Sequence, residues 1–232
     1  FYRSAKKIDI DIPMSFEELR AMVLDFCRRI DSPDAMAYVQ ATRGVGMRGH
    51  AYRFAGGTPS LWVWVKPDML DPMDRSYKAI TMEDTRYFHC DIKTINLLPA
   101  VIYTQRAEEA GCDETILHRG DRVTECAHSN VHILKDGALK TAPCDNLILP
   151  GITRAHRIAQ CREMGIPVIE EPFTVQEMME ADEVFFTSAS ALCCRIEEID
   201  GQKVGGRAPE LIARIQKAAW DEALAEVRQI NG

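Results

Sequence analysis

Five short segments carry residue types able to do chemistry. A lysine ε-amine can form an imine with a carbonyl compound, and Lys93 stands out for it. It lies in Arg86-Tyr87-Phe88-His89-Cys90-Asp91-Ile92-Lys93-Thr94-Ile95-Asn96, between a predicted strand and a predicted helix and among apolar residues. That setting predicts a mostly buried amine of lowered pKa; on position alone, a surface or junction lysine is the plainer reading. Glu125 follows Val123-Thr124 at a strand end. A carboxylate there can keep a pyridine-type nitrogen protonated, although taken alone it reads as an exposed turn acid. Gly151-Ile152-Thr153-Arg154 opens a helix, where backbone N–H groups and the Thr153 hydroxyl can hold an anion. Thr187-Ser188-Ala189-Ser190 ends a strand with hydroxyls that can serve the same anion, though Ser and Thr are also ordinary cap and turn residues. Arg43, Arg48 and His50 alternate with Gly44, Gly46 and Gly49, a loop that can clamp a carboxylate or simply be solvated.

Other chemistries find less support. His128 and His132 lie four apart, a spacing that on a strand separates their directions, and no acidic residue completes a metal motif; no metal is expected. Ser129 and Ser188 lack the nucleophile-elbow pattern of a serine hydrolase. The 232 residues carry 28 Lys and Arg against 35 Asp and Glu, a net charge of -7, which argues against general nucleic-acid affinity. No run approaches the ~20 apolar residues needed to span a bilayer, and no signal peptide is visible. The eight cysteines have no metal-ligand spacing and read as reduced thiols of a cytoplasmic protein.

The elements that must position these residues follow from periodicity. Residues 1–8 read as the end of a helix. Ser15 caps an amphipathic helix carrying Leu19, Met22, Val23 and Phe26. Tyr38–Thr42 and Leu61–Val65 read as strands joined by a Gly-rich connection, with Trp62 and Trp64 on one face. The proline-containing stretch 67–72 is the expected linker between domains at 1–66 and 73–232. Beyond it, strands are expected at 77–82, 114–118, 131–134, 139–141, 168–171, 184–187, 194–199 and 202–204. Helices are expected at 96–111, 153–164, 175–181 and 209–227. Lys135-Asp136-Gly137 and Asp200-Gly201 are hairpin turns. Hairpins mixed with helices predict a mixed α/β (α+β) fold rather than a regular βαβ array.

In chain order, Asp91-Ile92-Lys93-Thr94-Ile95-Asn96-Leu97-Leu98, Val123-Thr124-Glu125 with Ser129-Asn130-Val131, Asp145-Asn146 through Ile148-Leu149-Pro150-Gly151-Ile152-Thr153-Arg154, and Glu183-Val184-Phe185-Phe186-Thr187-Ser188 together resemble the fold type IV pyridoxal-phosphate (PLP) enzymes. That family includes D-amino acid aminotransferases, branched-chain aminotransferases and aminodeoxychorismate lyases. The resemblance implies that Lys93 carries PLP as a Schiff base and moves the proton. It implies that Glu125 binds the ring nitrogen, that Leu149 packs on the ring, and that Arg86 joins the polar network around the ring substituents. Ile152, Thr153, Ser188 and Ser190 would hold the phosphate. Tyr38-Val39-Gln40-Ala41-Thr42-Arg43-Gly44 with Arg48-Gly49-His50 is similar to the D-amino acid aminotransferase pattern, in which Tyr38, Arg48 and His50 would trap the substrate α-carboxylate.

The implied reaction is transamination between a D-amino acid such as D-alanine and a 2-oxo acid such as 2-oxoglutarate, in a homodimer. A branched-chain aminotransferase, an aminodeoxychorismate lyase, or a non-catalytic binding protein remain alternatives. Cys126-Ala127-His128 replaces the small residues usual after the glutamate, and Ala189 stands where a hydroxyl is common. The opening at Phe1, inside a helical pattern, suggests that further N-terminal residues of the family, which supply another phosphate ligand, are not in this chain.

Overall fold

The computed structural model describes residues 1–51 and 57–231, so part of the Gly-rich connection, 52–56, lies outside the described residues. The chain forms two compact units, Phe1–Met69 and Leu70–Gly232.

The first unit contains helices α1 (Tyr2–Lys7) and α2 (Phe16–Arg28) and strands β1 (Ala35–Thr42) and β2 (Ser60–Pro67). A capping box starts α2: the Ser15 hydroxyl accepts from the Glu18 N–H, and the Glu18 carboxylate accepts from the Ser15 N–H at 2.9 Å. Each bond satisfies a donor that a helix start otherwise leaves open. β1 and β2 pair antiparallel, with Tyr38 opposite Trp64 and Gln40 opposite Trp62. The period of two sends both tryptophans to one face, where they stay exposed. Arg43, just beyond β1, donates to the Ile8 carbonyl beyond α1 and so ties the two ends together.

The second unit is built on one mixed sheet. Its strands are β3 (Tyr77–Glu83), β4 (Glu114–Arg119), β5 (Arg122–Cys126), β6 (Asn130–Lys135), β7 (Ala138–Thr141), β8 (Val168–Glu170), β9 (Glu183–Thr187), β10 (Cys194–Ile199) and β11 (Gln202–Lys203). The order is β5-β4-β3-β10-β9-β6-β7-β8, with β11 on β10. β3 runs parallel to both β4 and β10, and β7 parallel to β8; the other pairs are antiparallel. Helices α3 (Leu98–Glu109), α4 (Ile152–Glu163), α5 (Val175–Met179) and α6 (Pro209–Asn231) complete the unit.

Both faces of the central strands are covered, which explains the unbroken apolar run Val184-Phe185-Phe186. Val184 and Phe186 join Ile116, Ile133 and Ile196 in one core cluster, while Phe185 joins Leu139, Ile158, Ile212 and Ile215 in the other. Burial of each such side chain contributes about 1.5–3 kcal/mol. The two expected hairpins turn through left-handed pairs, Asp136-Gly137 (φ 49° and 77°) and Asp200-Gly201 (φ 50° and 74°), the backbone that a tight type I′ turn demands. α3 starts at Leu98, two residues later than its pattern suggested, because Pro99 is tolerated only in a first helical turn. β5 runs from Arg122 to Cys126, so Glu125 is its penultimate residue, at the strand end where the sequence placed it. All eight cysteines are free thiols, five of them buried. Among the described residues no helix is long and apolar enough to cross a membrane.

Candidate active site

Glu125 is the pivot of the second unit. It lies on β5, the end strand of the sheet order, yet only 5% of its surface is exposed. This overturns the reading of an exposed turn acid: both faces of β5 are covered from Val123 to Cys126, and three partners receive the Glu125 side chain. Arg86 Nη1 donates to Oε1 at 2.5 Å; Asn130 Nδ2 and the Leu149 N–H donate to Oε2 at 2.9 and 3.0 Å. Burial pushes its pKa up to about 7, against the pull of the Arg86 charge and these hydrogen bonds. The result is a carboxyl group balanced between its two protonation states near neutrality.

Arg86 lies on the loop that leaves β3, and a buried acid fixes it. Asp84 accepts from the Arg86 N–H, Nε and Nη2 at 3.0, 2.9 and 2.9 Å, and Arg86 Nη2 also donates to the Leu147 carbonyl at 3.1 Å. Arg86 thus serves Glu125 directly, a more specific place than the general ring-side network expected of it. Sequence reasoning passed over Asp84; the short Asp84-Thr85-Arg86 spacing at a strand end was the available signal.

Lys93 sits farther along the same loop, which is stitched to the segment before α4. The Cys90 N–H donates to the Asn146 carbonyl at 3.0 Å, and Asn146 Nδ2 to the Phe88 carbonyl at 3.2 Å. Tyr87 and Thr94 hydroxyls bond at 2.9 Å. The expectation of a mostly buried amine is not met: Lys93 is exposed. The loop departs from the sheet, and its apolar flanks Ile95, Leu97 and Leu98 face outward with it, at 65, 53 and 72% exposure.

The start of α4 and the turn after β9 come together as their residue types suggested. Thr153 Oγ1 donates to the Ser188 carbonyl at 2.7 Å. The Ser188 hydroxyl accepts from the N–H groups of Ser190 and Ala191 at 3.2 and 3.0 Å. Ser190 differs: its hydroxyl donates to Asp71 at 2.7 Å. The first-turn N–H groups of α4, at Ile152 and Thr153, have no intrahelical acceptor. Gly151 caps the helix, and a Cβ there would run into Asn130 Oδ1. Asn130 Nδ2 also donates to the Leu149 carbonyl at 2.9 Å, so one amide links Glu125 to the approach of α4. Leu149 itself is half-buried.

Behind this turn lies His132, fully buried. Its Nε2 is 2.9 Å from Thr187 Oγ1 and its ring stacks on Phe185 at 4.8 Å. Burial, aided by the Arg154 and Arg157 charges, pushes its pKa down to about 3, so the imidazole is neutral and structural. His128 is largely exposed, 3.8 Å from the buried Glu114.

In the first unit, the Tyr38 ring stacks on Trp64 at 5.1 Å and its hydroxyl donates to Gln40 Oε1 at 2.8 Å. Arg48 and His50 lie exposed on the loop that follows β1. The structure does not join them to the Tyr38 hydroxyl.

Comparison with known proteins places this arrangement. The amino-transferase class IV family model matches residues 1–199. The chain is 38% identical to a D-alanine aminotransferase of Bacillus licheniformis over 97% of its length and 80% of that protein. It is 42% identical to a D-alanine aminotransferase of Listeria monocytogenes serotype 1/2a, over 90% of its length and 74% of that protein. Among solved structures it is similar to a branched-chain amino acid aminotransferase from Escherichia coli, at 26% identity and TM-score 0.80, covering 93% of this chain and 73% of that one. It is also similar to a branched-chain aminotransferase from Thermoproteus uzoniensis, at 28% identity and TM-score 0.79, covering 94% and 74%. With the mixed sheet and the buried carboxylate cluster in place, these matches establish that the chain belongs to the class IV aminotransferases.

Proposed function

We propose that this aminotransferase uses pyridoxal 5′-phosphate to move the amino group of a D-amino acid, such as D-alanine, to a 2-oxo acid such as 2-oxoglutarate. The observation that carries the reading is Glu125: a buried carboxyl, held by Arg86, Asn130 and the Leu149 N–H, suited to one protonated heteroaromatic nitrogen. The relatives named D-alanine aminotransferase support the choice of substrate.

The residues present fit the cofactor. An acid poised near neutrality, first-turn N–H groups at Ile152 and Thr153 without an intrahelical acceptor, the Ser188 hydroxyl, 3.3 Å from Ser190 Oγ, and a lysine on the adjoining loop supply partners for ring nitrogen, phosphate and aldehyde. When bound, the cofactor provides a carbonyl and an electron-withdrawing ring that takes up the electron pair released at the substrate α-carbon. Glu125 would hold negative charge for the ring nitrogen, and Arg86 would set how strongly. Leu149 would cover the ring, and Ile152, Thr153 and Ser188 would donate hydrogen bonds to the phosphate, with Ser190 assisting through its contact with Ser188. Lys93 Nζ would hold the aldehyde carbon until the substrate amine displaces it there; the freed Lys93 amine would then take the proton from the substrate α-carbon as general base and return it, as general acid, to the former aldehyde carbon. Tyr38, Arg48 and His50 hold the substrate carboxylate. A homodimer in the reducing cytoplasm is the proposed setting, consistent with eight unpaired thiols.

Borohydride reduction of the PLP-loaded protein, followed by peptide mapping, is expected to fix the cofactor on Lys93, and Lys93→Ala to abolish both label and turnover. Assays on D-alanine, L-leucine and aminodeoxychorismate should show turnover of D-alanine. Label on another lysine, or turnover of L-leucine alone, would overturn the proposal.

A further inference from the structure

Beneath the Glu125–Arg86 pair lies a second layer of charge. Asp84 has a fully buried side chain and receives five donors: three from Arg86, Arg119 Nε at 3.3 Å and the Thr124 hydroxyl at 3.0 Å. Arg119, on β4, also donates through Nη2 to the Arg86 carbonyl at 2.8 Å and the Tyr87 carbonyl at 3.3 Å, and its guanidinium covers the Phe88 ring at 4.4 Å. Both ends of Arg86, backbone and side chain, are therefore held. Of its guanidinium nitrogens, Nε and Nη2 face Asp84, and Nη1 alone is left for Glu125.

We infer that Asp84 and Arg119 are positioning residues for the ring-nitrogen chemistry: by sharing the Arg86 charge between two acids, they set how much of it reaches Glu125. The inference rests on the proposed cofactor role of Glu125 and deepens it. With both acids ionised, the two acids and two guanidinium groups make a neutral set of four in a buried site, so any change in one charge is felt by the others. Asp84 competes with Glu125 for Arg86; Arg119 relieves that competition by giving Asp84 a second cation. Burial raises the Asp84 carboxyl, but the bonds and charge of Arg86, with Arg119, outweigh it and hold Asp84 below its ordinary range. The negative charge of Asp84 in turn contributes to raising Glu125. Cys90 and Cys126 also face this set, their thiols raised by burial and so uncharged at neutral pH; Glu114 acts on Cys126, and Asp145, paired with Arg122, accepts from the Leu147 N–H beside the Arg86 contact.

Removing the two partners should act in opposite directions. Asp84→Asn frees Arg86 for Glu125 and lowers the pH at which Glu125 titrates. Arg119→Met leaves Arg86 as the only cation against Asp84, draws it from Glu125, and raises that pH. Each displacement is expected to be about one pH unit, the size of a single nearby charge in a poorly hydrated site.

The readout is the infrared band of the protonated Glu125 carboxyl, followed against pH in the full chain without added PLP and identified by its disappearance in Glu125→Gln. Near-wild-type circular dichroism would accompany both variants. Opposite displacements support the inference; no displacement, or displacement in the same direction, overturns it. Should Asp84→Asn fail to fold, the direction of the Arg119→Met displacement decides, and Arg119→Lys should return the midpoint toward the wild-type value. Because the band is read without cofactor, failure of PLP to bind Lys93 would sink the proposed function and leave this measurement interpretable.

Discussion

Two buried groups with opposite pKa shifts should make the stability of this protein respond to acid in a way that single substitutions expose. Glu125 titrates near pH 7 in the fold against an ordinary 4.5, and His132 near pH 3 against 6.5. Between pH 7 and 5 the folded protein protonates Glu125 while the unfolded chain still holds it largely ionised, so acidification favours the fold. Over the same interval the unfolded chain protonates His132 while the fold does not, so acidification opposes the fold. Proton linkage gives about 2 kcal/mol for each, with opposite sign. Urea unfolding of cofactor-free protein at pH 5, 6 and 7 measures the balance. Relative to wild type over that interval, Glu125→Gln should lose about 2 kcal/mol and His132→Gln should gain about 2 kcal/mol. The other carboxylates are common to all three proteins and largely drop out of the differences. Parallel pH profiles for the three would refute the reasoning, as would differences of the reversed sign.

Other expectations follow from single contacts. Gly151→Ala drives a methyl group into the Asn130 amide, which holds both Glu125 and the Leu149 carbonyl; a loss of about 1–3 kcal/mol in unfolding free energy, with weaker PLP uptake in a fluorescence titration, is expected. Arg48→Ala should raise KM for D-alanine at least tenfold, about 1.4 kcal/mol for a charge-assisted carboxylate contact, while leaving PLP uptake unchanged. Ser15→Ala removes one arm of the α2 capping box and should cost about 1 kcal/mol in chemical denaturation of the first unit.

Local signals explain what could be read before the structure. Ser15, ahead of the helical spacing of Leu19, Met22, Val23 and Phe26, announced a helix start, and the two Asp-Gly turns announced hairpins, because each depends only on neighbours in sequence. The order of Lys93, Glu125, Thr153 and Ser188 along the chain was enough to suggest the family. Less local properties stayed hidden. Whether Glu125 lies inside or outside depends on which strand pairs with β5, and whether Lys93 is covered depends on what the loop packs against. Asp84 and Arg119 act only through Arg86 and carry no motif of their own, and Ser190 could not be known to give its hydroxyl hydrogen to Asp71, 119 residues away.

The place of β3 has a consequence for how the polypeptide acquires its shape. Its neighbour β4 follows directly after α3, but its other neighbour, β10, begins only at Cys194. As the chain leaves the ribosome, one side of β3 can be satisfied early while the other stays open for more than a hundred residues of synthesis. An unpaired strand side is a template for wrong partners, and pairings this distant in sequence form slowly. Assembly of this sheet should therefore be completed only after β10 has been synthesised, leaving nascent chains that stop short of β10 to depend on chaperones.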